Sequence, residues 1–336
     1  MNYLFIIILT LSPSLLNAQI LRFSDTLNNP FSSSSYCTGT NVTETATGYA
    51  LTMSGIGSYI EVYYTDSLAN FKHTISHTPF GTSVYIESNN SNIQLKNGTW
   101  LMPLLLRADT SFSYQQGISV FDKNLTTPLH NYQSQFTYQG AHYSSFFTQV
   151  QPSYDSTSFW VSGRARINNH LNGTISHLDS NFNMLSQRLI VTGPSAVLTK
   201  SILSLPGNKC LISGIVANAA DVNSELDQNF LAKVGDSGIE WYRAWGRTYE
   251  QDKGGFLFKG TAPSTYWLVT AENTGSDSLT DYVYKIRASL FTTTGYELLN
   301  KAVYKNLLAP YNQVGIQLSD NSIILGYLIY KYNQGG

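Results

Sequence analysis

The chain has 336 residues, enough for one large β domain or two smaller ones. Charged residues make up 12% and the net charge is −1, and the Lys and Arg form no cluster. That argues against nucleic acid and anionic membranes as partners, since both bind concentrated basic surface. Polarity comes instead from Ser, Thr, Asn and Gln, alongside 23 Tyr and 16 Phe. These residues suit pleated, half-buried surfaces, and strong helix formers are thin, so the sequence reads as nearly all strand and turn.

The first segment stands apart. Leu4 to Leu11 is an apolar run followed by Pro13, and Leu15-Leu16-Asn17-Ala18 ends on a small residue. That layout predicts a secretory leader over 1–18, cut after Ala18, although Met1-Asn2-Tyr3 lacks the customary basic residue. The run is too short for a membrane anchor, which needs about 20 apolar residues. No later segment is long enough to span a bilayer, so the expected location is secreted, extracellular or on the outer cell surface. Residues 19–47 form an N-terminal segment in which Ile20 to Ser24 has strand character and could help close a ring. Export permits a disulfide between Cys37 and Cys210 but does not require one. Cys210 lies in the apolar run Lys209-Cys210-Leu211-Ile212, where a small buried thiol is ordinary.

From residue 48 onward the chain repeats. Asp122, Asp179 and Asp236 are spaced 57 apart, as are Asn124, Asn181, Gly238 and Gly295, with Thr293 standing where the next Asp would fall. A weaker copy contains Asp66. Asp or Thr followed two residues later by Asn or Gly is turn chemistry: the first side chain caps the turn and the later residue tolerates φ > 0. A second marker begins an apolar run after a turn, at Trp100, Trp160, Leu211, Trp267 and Ile323. Its intervals vary while the first marker's do not, which places insertions in connecting loops. Each period then holds four strand-like runs, clearest at Lys200 to Leu205, Cys210 to Ala217, Asn229 to Val234 and Ile239 to Trp245. Four short antiparallel strands repeated radially describe a β-propeller blade. Separate β-sandwiches are disfavoured, because about 57 residues make a thin core and a sandwich takes about seven strands. The expectation is five blades plus the start of a sixth over 48–336, the chain stopping before the ring is complete. Val314 to Leu318 and Ile323 to Tyr332 would be two strands of that last blade. Even with Ile20 to Ser24 added, one of its strands is missing.

The run Asn229-Phe230-Leu231-Ala232-Lys233-Val234-Gly235-Asp236-Ser237-Gly238-Ile239-Glu240-Trp241 resembles the repeat "D-x-x-L-x-K-x-D-x-x-G-x-x-x-W" of large secreted β-propeller proteins common in Bacteroidetes. The resemblance covers about Gly48 to Tyr332 and is clearest from Leu198 to Gly246. It implies the fold and export, often through a type IX secretion system. It implies no reaction.

Catalytic and metal motifs are sparse. His73 and His77 have the spacing of a helical zinc pair, but no Glu follows His73 and the context is not helical. Asp221, Asn223, Glu225 and Asp227 alternate like a calcium loop, yet Leu226 and Ala232 occupy the positions that need Gly and an acid. Asn97-Gly98-Thr99-Trp100 is faintly like the Asp-box of sialidase propellers, occurring once and with Asn for Asp. Arg164 and Arg166 alternate with Gly163 and Ala165 in a strand-like run, which suits a structural role. No nucleophile elbow or Gly-rich phosphate loop occurs. Trp100, Trp160 and Trp267 read as packing between blades. No cofactor or metal is expected.

Strand parity decides where a ligand would bind. If the Asp122, Asp179, Asp236 and Thr293 turns join third to fourth strands, they share one face. The opposite face then gathers Tyr138 to Tyr143, Asn168 to Asn172, Ala217 to Gln228 and Arg247 to Lys253. Concave sites use loop residues on a rigid frame, which nominates Tyr138, His142, Tyr143, Tyr249, Glu250 and Asp252. The function expected is a binding or adhesion module for an extracellular glycan or protein. The alternatives are a scaffold domain of a larger surface protein and a glycan- or peptide-acting enzyme with a dispersed site.

Overall fold

The structure, a computed structural model, describes residues 5–10, 19–24, 38–45, 47–54, 60–66, 71–77, 84–85, 93–95, 97–107, 114–123, 128–190, 196–217, 227–245, 254–276, 282–308, 310–318 and 320–329. Every regular element among them is a β-strand. An antiparallel pair comes first, β1 (Phe5–Thr10) and β2 (Gln19–Ser24). A four-stranded sheet follows, in the order β3 (Thr38–Thr45), β4 (Gly48–Ser54), β5 (Ile60–Asp66) and β6 (Phe71–His77). In the second sheet the short β7 (Val84–Tyr85) and β8 (Ile93–Gln94) both pair with β9 (Trp100–Arg107), which leads to β10 (Tyr114–Phe121) and β11 (Pro128–Ser134). A hairpin of β12 (Phe136–Tyr138) and β13 (Ala141–Tyr143) intervenes. The third sheet is β14 (Ser145–Pro152), β15 (Ser158–Ile167), β16 (His170–Asp179) and β17 (Met184–Leu189). The fourth is β18 (Ala196–Leu205), β19 (Lys209–Ala217), β20 (Asp227–Gly235) and β21 (Gly238–Trp245). The fifth is β22 (Gly255–Lys259), β23 (Thr265–Ser276), β24 (Tyr282–Thr292) and β25 (Glu297–Leu308). A last pair is β26 (Pro310–Gln317) with β27 (Ile323–Ile329).

Successive sheets pack face to face. Side chains alternate across a strand, so β15 sends Phe159 and Val161 toward Leu101 and Ile118 of the second sheet, and Trp160 toward Val197 and Ile212 of the fourth. The same arrangement continues with Leu211 and Leu231 against Leu257 and Leu268, and with Val269 and Ile286 against Ile323 and Leu325. Burial on both faces explains why β19 reads as a nearly continuous apolar run. Trp160 and Trp267 pack between sheets, and Trp100 is fully buried with its indole N–H donating to the Lys123 carbonyl.

First strands of neighbouring sheets run side by side: β14 by β18, β18 by β22, β22 by β26, and β26 by β3. Side chains bridge β14 to β18, β18 to β22 and β22 to β26. Thr148 and Thr199 share a hydrogen bond, the Gln149 amide donates to the Lys200 carbonyl, the Ser201 hydroxyl accepts from Leu257 N, and Gln317 bonds both the N–H and the carbonyl of Lys259. The first strands of the third and fourth sheets also carry one-residue bulges, at Thr148 and Lys200. Opposite each bulge stands a glycine. A Cβ on Gly163 would meet the Phe146 carbonyl oxygen, and one on Gly214 the Leu198 carbonyl oxygen.

The turns at Asp66, Asp122, Asp179, Asp236 and Thr293 each join the third and fourth strands of a sheet, as the spacing predicts. The first sheet opens at Thr38, within the segment assigned to the N-terminal stretch. Ile20 to Ser24 falls in β2, while β1 lies beside β27. Phe5–Thr10, from the run that the sequence predicts as a leader, thus lies next to β27. Cys210 is free and buried in β19, and burial pushes its thiol well above the usual range. Cys37 lies outside the described residues.

Candidate functional site

The two ends of the sheets differ in chemistry. The turn end carries the first-to-second and third-to-fourth turns, and its carboxylates cap backbone. Asp155 accepts from Ser153 Oγ and Thr157 N, Asp179 from Asn181 N, Asn183 N and Asn183 Nδ2, and Asp320 from Ser322 N. These hydrogen bonds hold all three carboxyls below the usual range. Glu240 is drawn down likewise by Lys209 and Lys233.

A relay from a buried serine and histidine to a half-exposed aspartate also stands at this end. His177 Nδ1 lies 2.7 Å from Asp236 Oδ1, and His177 Nε2 lies 2.7 Å from Ser158 Oγ. The imidazole is 2% exposed, Ser158 is 6% exposed, and the Trp160 indole stacks on the imidazole at 4.3 Å and 9°. The order of groups is that of a Ser-His-Asp triad, but the serine is enclosed and its backbone is tied into the Ser153 turn. The relay therefore fastens the third sheet to the Asp236 turn of the fourth. Sequence reading did not find it. The one available clue is that His177 occupies a place filled by Val120, Val234 and Phe291 in the other copies.

The opposite, crossing end carries the second-to-third turns and the passages from sheet to sheet. Its best-defined feature is the β12–β13 hairpin. Tyr138 pairs with Ala141 across a two-residue turn, Gln139 and Gly140, with φ of 49° and 80°. That is the left-handed pair a type I′ hairpin needs. Phe136 is fully buried against Ala165 and Ile167, and Tyr138, Tyr143 and Leu189 pack on the same cluster. Phe136 N donates to Ser145 Oγ and Thr137 N to Gln187 Oε1. The hairpin is thus pinned to the third sheet by rings on its inner side. Its outer side presents Thr137 and His142, joined by a 3.0 Å hydrogen bond, with Gln139 at the tip. Beside it, Asn168 and Asn169 form a second left-handed pair, φ 50° and 64°, between β15 and β16.

Of the nominated residues, Tyr138 and Tyr143 serve mainly as anchors and His142 faces solvent. Tyr249, Glu250 and Asp252 lie outside the described residues, as do 218–226 and 247–253. Among carboxylates with described side chains, Glu272 stands at the crossing end. Arg287 Nε lies 2.9 Å and Lys285 Nζ 3.4 Å from its Oε2. Arg164 is buried over the Phe146 ring at 5.5 Å and Arg166 is exposed. His73 and His77 lie on β6.

No protein-family model and no curated protein matches the sequence. Among solved structures, the α-L-arabinanase of Penicillium chrysogenum complexed with arabinobiose aligns over 98% of this chain and 99% of its own, with TM-score 0.54 and 9% identity. The α-L-arabinofuranosidase of Lactobacillus brevis aligns over 80% of this chain and 94% of its own, with TM-score 0.49 and 13% identity. The exo-β-1,3-galactanase of Phanerochaete chrysosporium with β-1,3-galactotriose gives TM-score 0.47 and 15% identity over 70% of this chain. This chain spans 56% of that galactanase's length. At 9% identity the likeness to the arabinanase is one of fold alone. Together with the face-to-face, four-stranded sheets, it makes this chain a β-propeller.

Proposed function

We propose that this protein is an exported β-propeller module that binds neutral glycans at its crossing end, with the outer side of the β12–β13 hairpin and the Asn168–Asn169 turn as part of the contact surface. The observation that carries this reading is the unequal use of the two ends. Carboxylates at the turn end are committed to capping and ion pairs, while the crossing end holds a rigid hairpin displaying Thr137, Gln139 and His142. Neutral hydroxyl-rich ligands suit hydrogen-bonding groups of this kind on a fixed frame. The arabinanase, which holds arabinobiose on a related frame, supports a sugar as the ligand class.

Glycoside hydrolysis is the weaker reading. It needs two carboxyl groups about 5–10 Å apart, and among the described side chains of the crossing end Glu272 stands between two cations. The scaffold reading has one observation in its favour, the inward packing of Tyr138 and Tyr143. A glycan array including arabino- and galacto-oligosaccharides separates the two. Binding to a neutral glycan, weakened about tenfold or about 1.4 kcal/mol by His142→Ala with Gln139→Ala, supports the binding module. A folded protein that retains no glycan supports the scaffold.

The ring we infer has six sheets, with β26 and β27 in the last; β26 running beside both β22 and β3 supports it. Export rests on the leader-like run and on the resemblance to secreted Bacteroidetes propellers. N-terminal sequencing of material recovered outside the cell should begin at Gln19.

A further inference from the structure

We propose that β11 is a self-pairing edge, through which two copies of this chain join their second sheets antiparallel about a twofold axis. Among the described residues, each of the five larger sheets ends on an outer strand with one neighbour, and such a strand offers a row of unpaired N–H and C=O groups. Proteins guard these edges with charge. Here β6 carries Lys72, β17 Arg188, β21 Glu240 and Arg243, and β25 Glu297, Lys301 and Lys305. By contrast β11, Pro-Leu-His-Asn-Tyr-Gln-Ser, has no formal charge. Among the described residues it pairs with β10 alone, and Leu129 on it is 60% exposed.

The missing charges also indicate the occupant. Twofold pairing sets a strand against itself, so identical side chains are brought close and like charges directly opposite destabilise. An uncharged strand meets that condition. With the axis at Asn131, Leu129 of each copy stands opposite Gln133 of the other, and His130 opposite Tyr132. The edge is also held ready: Tyr132 and His130 both rest against Phe182 of the third sheet, and Ser119 bonds Asn131. Thus β11 is fixed in extended form before a second copy arrives, which limits the ordering cost of association.

Sedimentation velocity on the full chain over micromolar concentrations tests this. A concentration-dependent dimer is expected, and Leu129→Lys with Gln133→Lys should weaken it at least tenfold. The matched change Leu185→Lys, at an equally exposed site on β17, should leave it intact. If the double variant misfolds by circular dichroism, hydrogen exchange on the unaltered protein decides: β11 amides should gain protection as concentration rises. A strictly monomeric chain, a dimer indifferent to the β11 charges, or β11 exchange independent of concentration would overturn the proposal.

Discussion

At His177 one imidazole carries out three tasks: it bonds Ser158, bonds Asp236 of the next sheet, and stacks on Trp160. With Nδ1 protonated it donates to the carboxylate, and Nε2 accepts from the serine hydroxyl. His177→Ala removes both bonds and the ring under Trp160, so it should cost about 2–3 kcal/mol in denaturant unfolding. Ser158→Ala should cost less, about 1 kcal/mol, and should leave glycan affinity unchanged. Labelling of Ser158 by a fluorophosphonate would contradict the structural role. This relay was illegible in the sequence because its members lie 19 and 59 residues apart and a lone histidine in an apolar strand suggests only packing. Acid behaviour also belongs to single residues. Asp155, Asp179 and Asp320 are held below the usual carboxylate range in the folded protein. A depressed folded pKa adds stability that is complete above the unfolded value, about 3.9, and is lost as pH falls through the folded one. Melting temperature should therefore drop as pH falls below about 4, and Asp179→Asn should flatten that drop. An unchanged profile in the variant would mean the caps contribute nothing.

Among the elements, the paired bulge and glycine set the shape of the inner strands. Gly214 faces the Leu198 carbonyl across the Lys200 bulge, whereas Gly207 sits in an open turn with φ 73° and no neighbour within 4 Å. Gly214→Ala should therefore cost about 2–3 kcal/mol through overpacking, and Gly207→Ala about 1 kcal/mol through its left-handed backbone. Equal costs would show that the close approach is not structural. The third-to-fourth turns were readable because their Asp, Asn and Gly positions recur at a fixed spacing, and because a capping carboxylate acts locally. Strands β15 and β19 were readable from apolar runs bounded by turns. The bulges were not, since a bulge depends on what the neighbouring sheet presses against the strand. Nor was β12–β13 legible as a hairpin: its strands are three residues long, too short for alternation to register. Parity alone puts its segment on the crossing end, and that suffices to nominate it.

For the whole molecule, the apolar run at Phe5–Thr10 has two fates that exclude each other. As β1 it lies between β27 and β2; as a leader it is removed. A chain beginning at Gln19 loses β1, and β27 then keeps β26 as its partner on one side. Limited proteolysis of that shortened protein should cut within 310–329 before the third and fourth sheets, whose faces are buried on both sides. Resistance equal to that of the longer chain would show that β1 contributes nothing to the sheet.

On the proposed reading, a neutral glycan meets the crossing end and not the turn end. Hydrogen exchange of the full chain with and without a saturating oligosaccharide from the array tests it most directly. Protection should appear across 136–143 and 168–169 with the sugar recovered uncleaved. Protection confined to the Asp155, Asp179, Asp236 and Asp320 turns, or recovery of a hydrolysed sugar, would contradict it.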